Sequence, residues 1–192
     1  MVSQITALVA LFFFCIVEFV SAQADRTHVQ ALVAYNSPSG KLVDSARFTS
    51  STAFGIGVHW APSRSYSFGV SGWFTPAEID PVSPGSPVEL RVPSSASIFG
   101  MSVNASYRLL KHGITPYICA EAGFGFLTVP DALVGNEHLT PQLGITVAGS
   151  LGLLVPVSQS LDADIAARYA STAIGGGLEQ INYLVGLRYR LR

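Results

Sequence analysis

Between Arg47 and Thr75 the chain alternates residue by residue. The even positions are Phe48, Ser50, Thr52, Phe54, Ile56, Val58 and Trp60, and the odd ones are Arg47, Thr49, Ser51, Ala53, Gly55, Gly57 and His59. After the breaker Pro62-Ser63-Arg64 the alternation resumes. Tyr66, Phe68, Val70, Gly72 and Phe74 now oppose Ser65, Ser67, Gly69, Ser71, Trp73 and Thr75. Successive side chains of a strand point to opposite faces, so this pattern dictates a hairpin with one large apolar face and one small, polar face. Each arm is longer than the ~5–6 residues of an ordinary soluble strand. Such length suits a tilted bilayer span, which needs about 9–11 residues.

The same unit recurs along the chain. A first strand is expected over His28–Tyr35, with Val29, Ala31, Val33 and Tyr35 on the apolar face, ended by Asn36-Ser37-Pro38-Ser39-Gly40. Strands two and three are the hairpin just described, and the proline-rich stretch Pro76 to Pro93 reads as a long loop. The fourth strand, Ser97–Leu110, turns through Lys111-His112-Gly113 into a fifth, Thr115–Thr128. A loop from Val129 to Pro141 precedes the sixth, Gln142–Val155. The seventh is Ser160–Ser171, the connection through Gly175-Gly176-Gly177 is short, and the eighth is Glu179–Arg192. The fold expected is all-β, an eight-stranded antiparallel up-and-down transmembrane β-barrel.

Composition supports a membrane setting. Of the 192 residues 49% are hydrophobic and 12% charged, the latter about half the soluble average of ~25%. Beyond the first two dozen residues no apolar run approaches the ~20 needed for a spanning helix. The formal net charge of −1 gives no pointer to a nucleic-acid partner. Residues 1–24 read as a signal peptide and 25–192 as the barrel. Ala7 to Val20 is apolar except for Glu18, and Ser21-Ala22-Gln23-Ala24 supplies small residues for cleavage. The competing reading is a membrane anchor helix; the polar Asp25 and Arg26 directly after favour cleavage. Cys15 follows three phenylalanines and is not expected to carry lipid, which leaves Cys119 as the thiol of the mature chain.

Charge placement follows the same parity. Arg47, Arg108, Glu121, Asp162, Asp164, Arg168, Arg188 and Arg190 all fall on the small face. A soluble sandwich would place its charges outside and would need many more of them. An eight-stranded barrel has an interior that side chains just fill, so these charges form a lumen network in which each needs a partner. With the Gly175 loop as apex, Asp162 lies opposite Arg188 with Asp164 and Arg168 nearby, and Asn104 faces Glu121. A structural network is the favoured reading over a proton or ion path. Connections after strands two, four and six are tight and the others mostly longer, as in barrels with periplasmic turns and external loops. An even strand count then puts both chain ends in the periplasm. Trp60, Tyr66, Tyr107 and Tyr189 form an aromatic girdle at the turn end, with Trp60 and Tyr66 as cross-strand neighbours about Ser63. Phe48, Phe74, Phe99, Phe126 and Tyr183 belong to the loop end.

The last strand resembles the C-terminal assembly signal of outer-membrane proteins through Gly186, Tyr189 and Leu191. It departs from that signal in ending on Arg192 rather than phenylalanine and in having Leu184 where a polar residue is common. Thr115-Pro116-Tyr117-Ile118 with Glu121-Ala122-Gly123-Phe124-Gly125 is similar to strands of OmpA-like and OmpX-like small barrels. The resemblance implies a place in the Gram-negative outer membrane, with the lipid bilayer and the barrel-assembly machinery as partners. It assigns no substrate.

Chemistry is sparse. Some barrels of this kind are lipid A acyltransferases or deacylases, which unite serine, histidine and an acid at one rim. His59 is expected inside, His112 in a turn, and Glu137-His138 in an external loop, none beside a nucleophilic serine on a strand. Glu137-His138 alone is a weak metal pair. The expectation is therefore a non-enzymatic protein without cofactor or metal, structural or surface-interacting, its lumen largely plugged. Any ligand would bind the external loops Pro76–Pro93 and Val129–Pro141. A narrow solute channel is the alternative, and a lipid A-modifying enzyme the third reading.

Overall fold

The computed structural model describes residues 27–40, 51–78, 95–110, 112–128, 132–134, 137–139, 142–174 and 177–191. The strands are β1 (Thr27–Ser39), β2 (Ser51–Trp60), β3 (Tyr66–Glu78), β4 (Ser95–Arg108) and β5 (Thr115–Thr128). They continue with β6 (Ala132–Val134), β7 (Glu137–Leu139), β8 (Gln142–Pro156), β9 (Leu161–Thr172) and β10 (Leu178–Arg190). All but β6 and β7 close into one antiparallel barrel in the order β1-β10-β9-β8-β5-β4-β3-β2. Sequential strands are neighbours throughout, and β1 pairs with β10 to remove the last free edge.

Register fixes the tilt. From Arg190 the pairing line runs through His28, His59, Gly69, Asn104, Glu121, Ala148 and Ala170, and returns to β10 at Gln180. That is ten residues from its start, a shear of ten over eight strands. With ~3.3 Å per residue and ~4.8 Å between strands, the strands tilt by about 40° from the barrel axis.

The parity read from the sequence is the parity of the barrel. In β1 the odd residues Val29, Val33 and Tyr35 are exposed while His28, Gln30, Leu32, Ala34 and Asn36 are buried. Outward-facing Ile145, Val147 and Leu151 of β8 are 72%, 56% and 67% exposed, so the barrel wears a continuous apolar coat. At the loop end Phe74, Phe99 and Phe126 form a row across β3, β4 and β5, with the first two rings 5.0 Å apart.

Four details differ from the sequence reading. Strand β1 runs on to Ser39 and β3 to Glu78, through Pro38 and Pro76. Pro76 pairs with Ser97 of β4 where the pairing with β2 has already ended at Phe74, so its missing N–H interrupts no ladder on that side, and Pro38 pairs with Gln180 of β10. The stretch 129–141 holds a short hairpin, β6 with β7, instead of loop alone. Trp60 pairs with Phe68, rings 6.5 Å apart, and Tyr66 with Tyr107 at 5.0 Å. The turn is thus centred on Arg64 rather than Ser63. Ser63 Oγ accepts from the Ser65 and Tyr66 amides within the turn, and cross-strand pairing with β2 resumes two residues later on the β3 side than expected. Finally, the inner face is not uniformly polar: Ala34, Ala53, Leu154, Ala166 and Leu184 form an apolar cluster around Tyr117.

Candidate functional site

The lumen is crossed by two charged tiers. In the tier nearer the turns, Asp164 on β9 is 0% exposed. It accepts from the Tyr117 hydroxyl at 2.9 Å, from Arg188 Nη2 at 3.3 Å and from the Gln30 side-chain amide. His59 Nε2 extends the tier by its 2.8 Å bond to Gln30 Oε1. Since Gln30 spends its amide hydrogens on Asp164, its carbonyl is the acceptor and His59 donates from Nε2.

In the tier nearer the loops, Arg168 on β9 grips Glu121 on β5 with two parallel bonds, Nε to Oε1 at 3.0 Å and Nη2 to Oε2 at 2.9 Å. Ser102 Oγ adds a third donor at 3.1 Å. A fork-to-fork pair of this kind is the strong, geometrically fixed form of the interaction. Both side chains are only 6% exposed.

Each tier is backed by the same construction. Arg168 lies 4.7 Å from the Trp73 ring centre and Arg188 5.7 Å from that of Tyr117, within cation–π range. Trp73 lies over Gly55, its partner on β2, and Tyr117 over Gly152, its partner on β8. A Cβ at Gly55 would come within 2.5 Å of the Trp73 ring, and one at Gly152 within 2.6 Å of the Tyr117 ring. Glycine is what lets each aromatic lie flat on the wall and leave the bore to its arginine. Beside the upper tier, among Trp73, Thr146, Arg168 and Gln180, lies a small cavity of about 30 Å³.

The residues assigned to the lumen from sequence distribute as follows. Glu121, Asp164, Arg168 and Arg188 are joined in the two tiers. The cross-strand pairing of Asp162 with Arg188 and of Asn104 with Glu121 is present in the backbone. Yet Arg188 bridges to Asp164, two residues along, because Tyr117 and Gln30 already focus their donors on that carboxylate. Asn104 donates to Ser71 Oγ at 2.6 Å and not to Glu121. Asp162 makes no ion pair among the described residues. Arg108 is partly buried, with Nε and Nη2 lacking an acceptor. Arg47 lies outside the described residues.

Sequence reading missed Gln30, His59, Trp73 and Tyr117 as members of these tiers. The available signal was an inward aromatic set opposite a glycine, which a small-residue face requires somewhere if it is to be filled. Of the girdle residues, Tyr66, Tyr107 and Tyr189 are exposed on the outer face at the turn end, and Trp60 is partly exposed there. In β10 Gly186 packs under Leu32, where a Cβ would meet the Leu32 side chain at 2.5 Å. The Leu191 amide bonds the Thr27 carbonyl at 2.9 Å and so ties the start of β1 to the end of β10.

Three of the four histidines have described side chains, with His28 buried in the lumen. His59 bonds Gln30, and His112 accepts from Arg64 Nη1 at 3.0 Å. The side chains of Glu137 and His138 lie outside what is described.

No family model matches the chain, and no curated protein resembles it in sequence. Its fold does match solved structures. Neisserial surface protein A superposes with a TM-score of 0.62 at 18% identity, over 86% of this chain and 97% of that one. The outer membrane protein OprG of Pseudomonas aeruginosa gives 0.57 at 15% identity, over 87% and 96%. Ail, the attachment invasion locus protein of Yersinia pestis, gives 0.51 at 12% identity, over 86% and 97%. The fold is therefore that of the small eight-stranded outer-membrane barrels.

Proposed function

We propose that this chain spans the outer membrane as a plugged barrel, with a structural or surface-interaction role and no enzymatic activity. The observation that carries the reading is the combination of faces. Outside, exposed apolar side chains surround the barrel; inside, two buried ion-pair tiers with aromatic backing cross the bore. A solute would have to break a bidentate arginine–glutamate pair to pass, which argues against the channel alternative. On this reading any partner binds the connections at the loop end, chiefly Pro76–Pro93 and Val129–Pro141.

Site-directed labelling tests this. In a Cys119→Ser background, Ser83→Cys in the connection between β3 and β4 should react with a membrane-impermeant maleimide on intact cells. Ser63→Cys in the β2–β3 turn should react only after the outer membrane is permeabilised. Labelling of Ser63→Cys on intact cells, or recovery of the protein outside the outer-membrane fraction, would overturn the proposal.

A further inference from the structure

The charges of the barrel are segregated along its axis. In the lumen, the three described arginines and three carboxylates balance. The sequence segments that join strands at the other end, 40–50, 78–94, 129–141 and 175–179, contain Lys41, Arg47 and Arg91 against seven acids, a formal charge of −4. At the turn end the balance is inverted. The three turns, 61–65, 109–114 and 157–160, contain no aspartate or glutamate. With the adjoining end of β10 these turn segments carry Arg64, Lys111 and Arg190 against no acid, a formal +3.

The described part of this positive rim is also apolar. Leu109, Leu110, Ile114 and Val157 are 57%, 52%, 57% and 61% exposed, on turns where polar residues would be the ordinary choice. Arg64 and Arg190 are exposed beside them. Arg64 is held by its bond to His112, which joins the β2–β3 turn to the β4–β5 turn. Arg190 Nη1 leans on the Gln159 carbonyl at 3.4 Å beside the β8–β9 turn. Guanidinium groups interleaved with exposed aliphatics in a ring match one environment well, the boundary between phosphates and acyl chains. A soluble acidic protein would complement the charge but not the outward ring of aliphatic side chains.

We propose that the turn-end rim binds anionic phospholipid headgroups, with Arg64 and Arg190 contacting phosphate and the four aliphatic side chains seated among the first methylenes. This rests on the membrane-spanning reading above. It gives the barrel a lipid preference at one end and fixes its depth in that leaflet.

Trp60, the last residue of β2, reports on the rim directly. Trp73 faces the lumen, out of reach of lipid, so both the intact chain and a Trp73→Phe variant serve. The barrel is reconstituted in phosphatidylcholine vesicles containing either brominated phosphatidylglycerol or brominated phosphatidylcholine at equal mole fraction, and Trp60 quenching is compared. The expected result is about a fivefold higher relative association constant for the anionic lipid at low salt, declining as salt is raised. It should fall towards unity in Arg64→Gln/Arg190→Gln. Equal quenching by the two lipids overturns the inference and leaves the spanning barrel intact. A preference that survives the double substitution also overturns it. Quenching by neither lipid overturns the membrane reading itself.

Discussion

Replacing Asp164 with alanine tests the inner architecture most sharply. The substitution strands Arg188, whose side chain is 3% exposed, and removes the acceptor of Tyr117 and Gln30. Breaking a buried pair by deleting one partner costs about 3–5 kcal/mol. The two neutral donors add to this only as far as they find no new acceptor, each about 1–3 kcal/mol if left unmade. The expected loss is thus in the upper part of the 3–5 kcal/mol range. Asp162→Ala is the control. Its carboxylate is on the same strand and inner face, and directly opposite Arg188 in register, but it makes no ion pair among the described residues. Its removal should cost no more than about 1 kcal/mol. A third variant, Asp164→Leu/Arg188→Met, should recover most of the loss, because both desolvated charges leave together. Urea-induced unfolding from phosphatidylcholine vesicles, followed by tryptophan emission and by the mobility of the folded band on cold gels, supplies the stabilities. Equal costs for Asp162→Ala and Asp164→Ala would refute the assignment of Arg188 to Asp164. So would a double variant no better than Asp164→Ala.

Other expectations follow from the faces and the glycines. Val147→Arg sets a charge against lipid at a cost of about 2–4 kcal/mol near the midplane. Thr146→Arg points into the lumen beside Thr172 and should impair folding into vesicles clearly less, so equal or reversed effects would contradict the parity. Gly55→Leu drives side-chain atoms into the Trp73 ring, which a Cβ alone approaches to 2.5 Å. In a Trp60→Phe background, Trp73 emission should shift and the protein should lose stability, whereas unchanged emission would contradict the stacked geometry. Edman sequencing of outer-membrane material should begin near Asp25, and a mature chain retaining Phe12–Cys15 would make the leader an anchor.

What was legible in the sequence was whatever the two-residue period controls. Val29 to Tyr35, Phe48 to Trp60 and Leu143 to Val155 each announce which way their strand faces, and one hairpin sets the length of the rest. The charges followed because a membrane exterior excludes them, which left the lumen for Glu121, Asp164, Arg168 and Arg188. Partner choice inside the lumen was not legible. Asp162 and Arg188 are directly opposed, yet a guanidinium on a long stem reaches along a tilted strand, and the enclosed Asp164 already had Tyr117 and Gln30 as donors. Strand ends escaped for a related reason. Pro38 and Pro76 read as breakers, but Pro38 keeps its partner on β10, and beside Pro76 the pairing with β2 had already ended. The flat seating of Trp73 and Tyr117 depends on glycines from neighbouring strands, Gly55 and Gly152, and only the cross-strand register brings those pairs together.

The central claim is a barrel whose bore is shut by its own side chains. Current recording across a planar bilayer containing the purified, unmodified protein tests it. On the plugged-barrel proposal the Glu121–Arg168 and Asp164–Arg188 tiers block the bore, so the expected trace is flat under applied voltage. Steady, reproducible single-channel steps from the unmodified protein would contradict the plugged lumen and put the solute channel in its place.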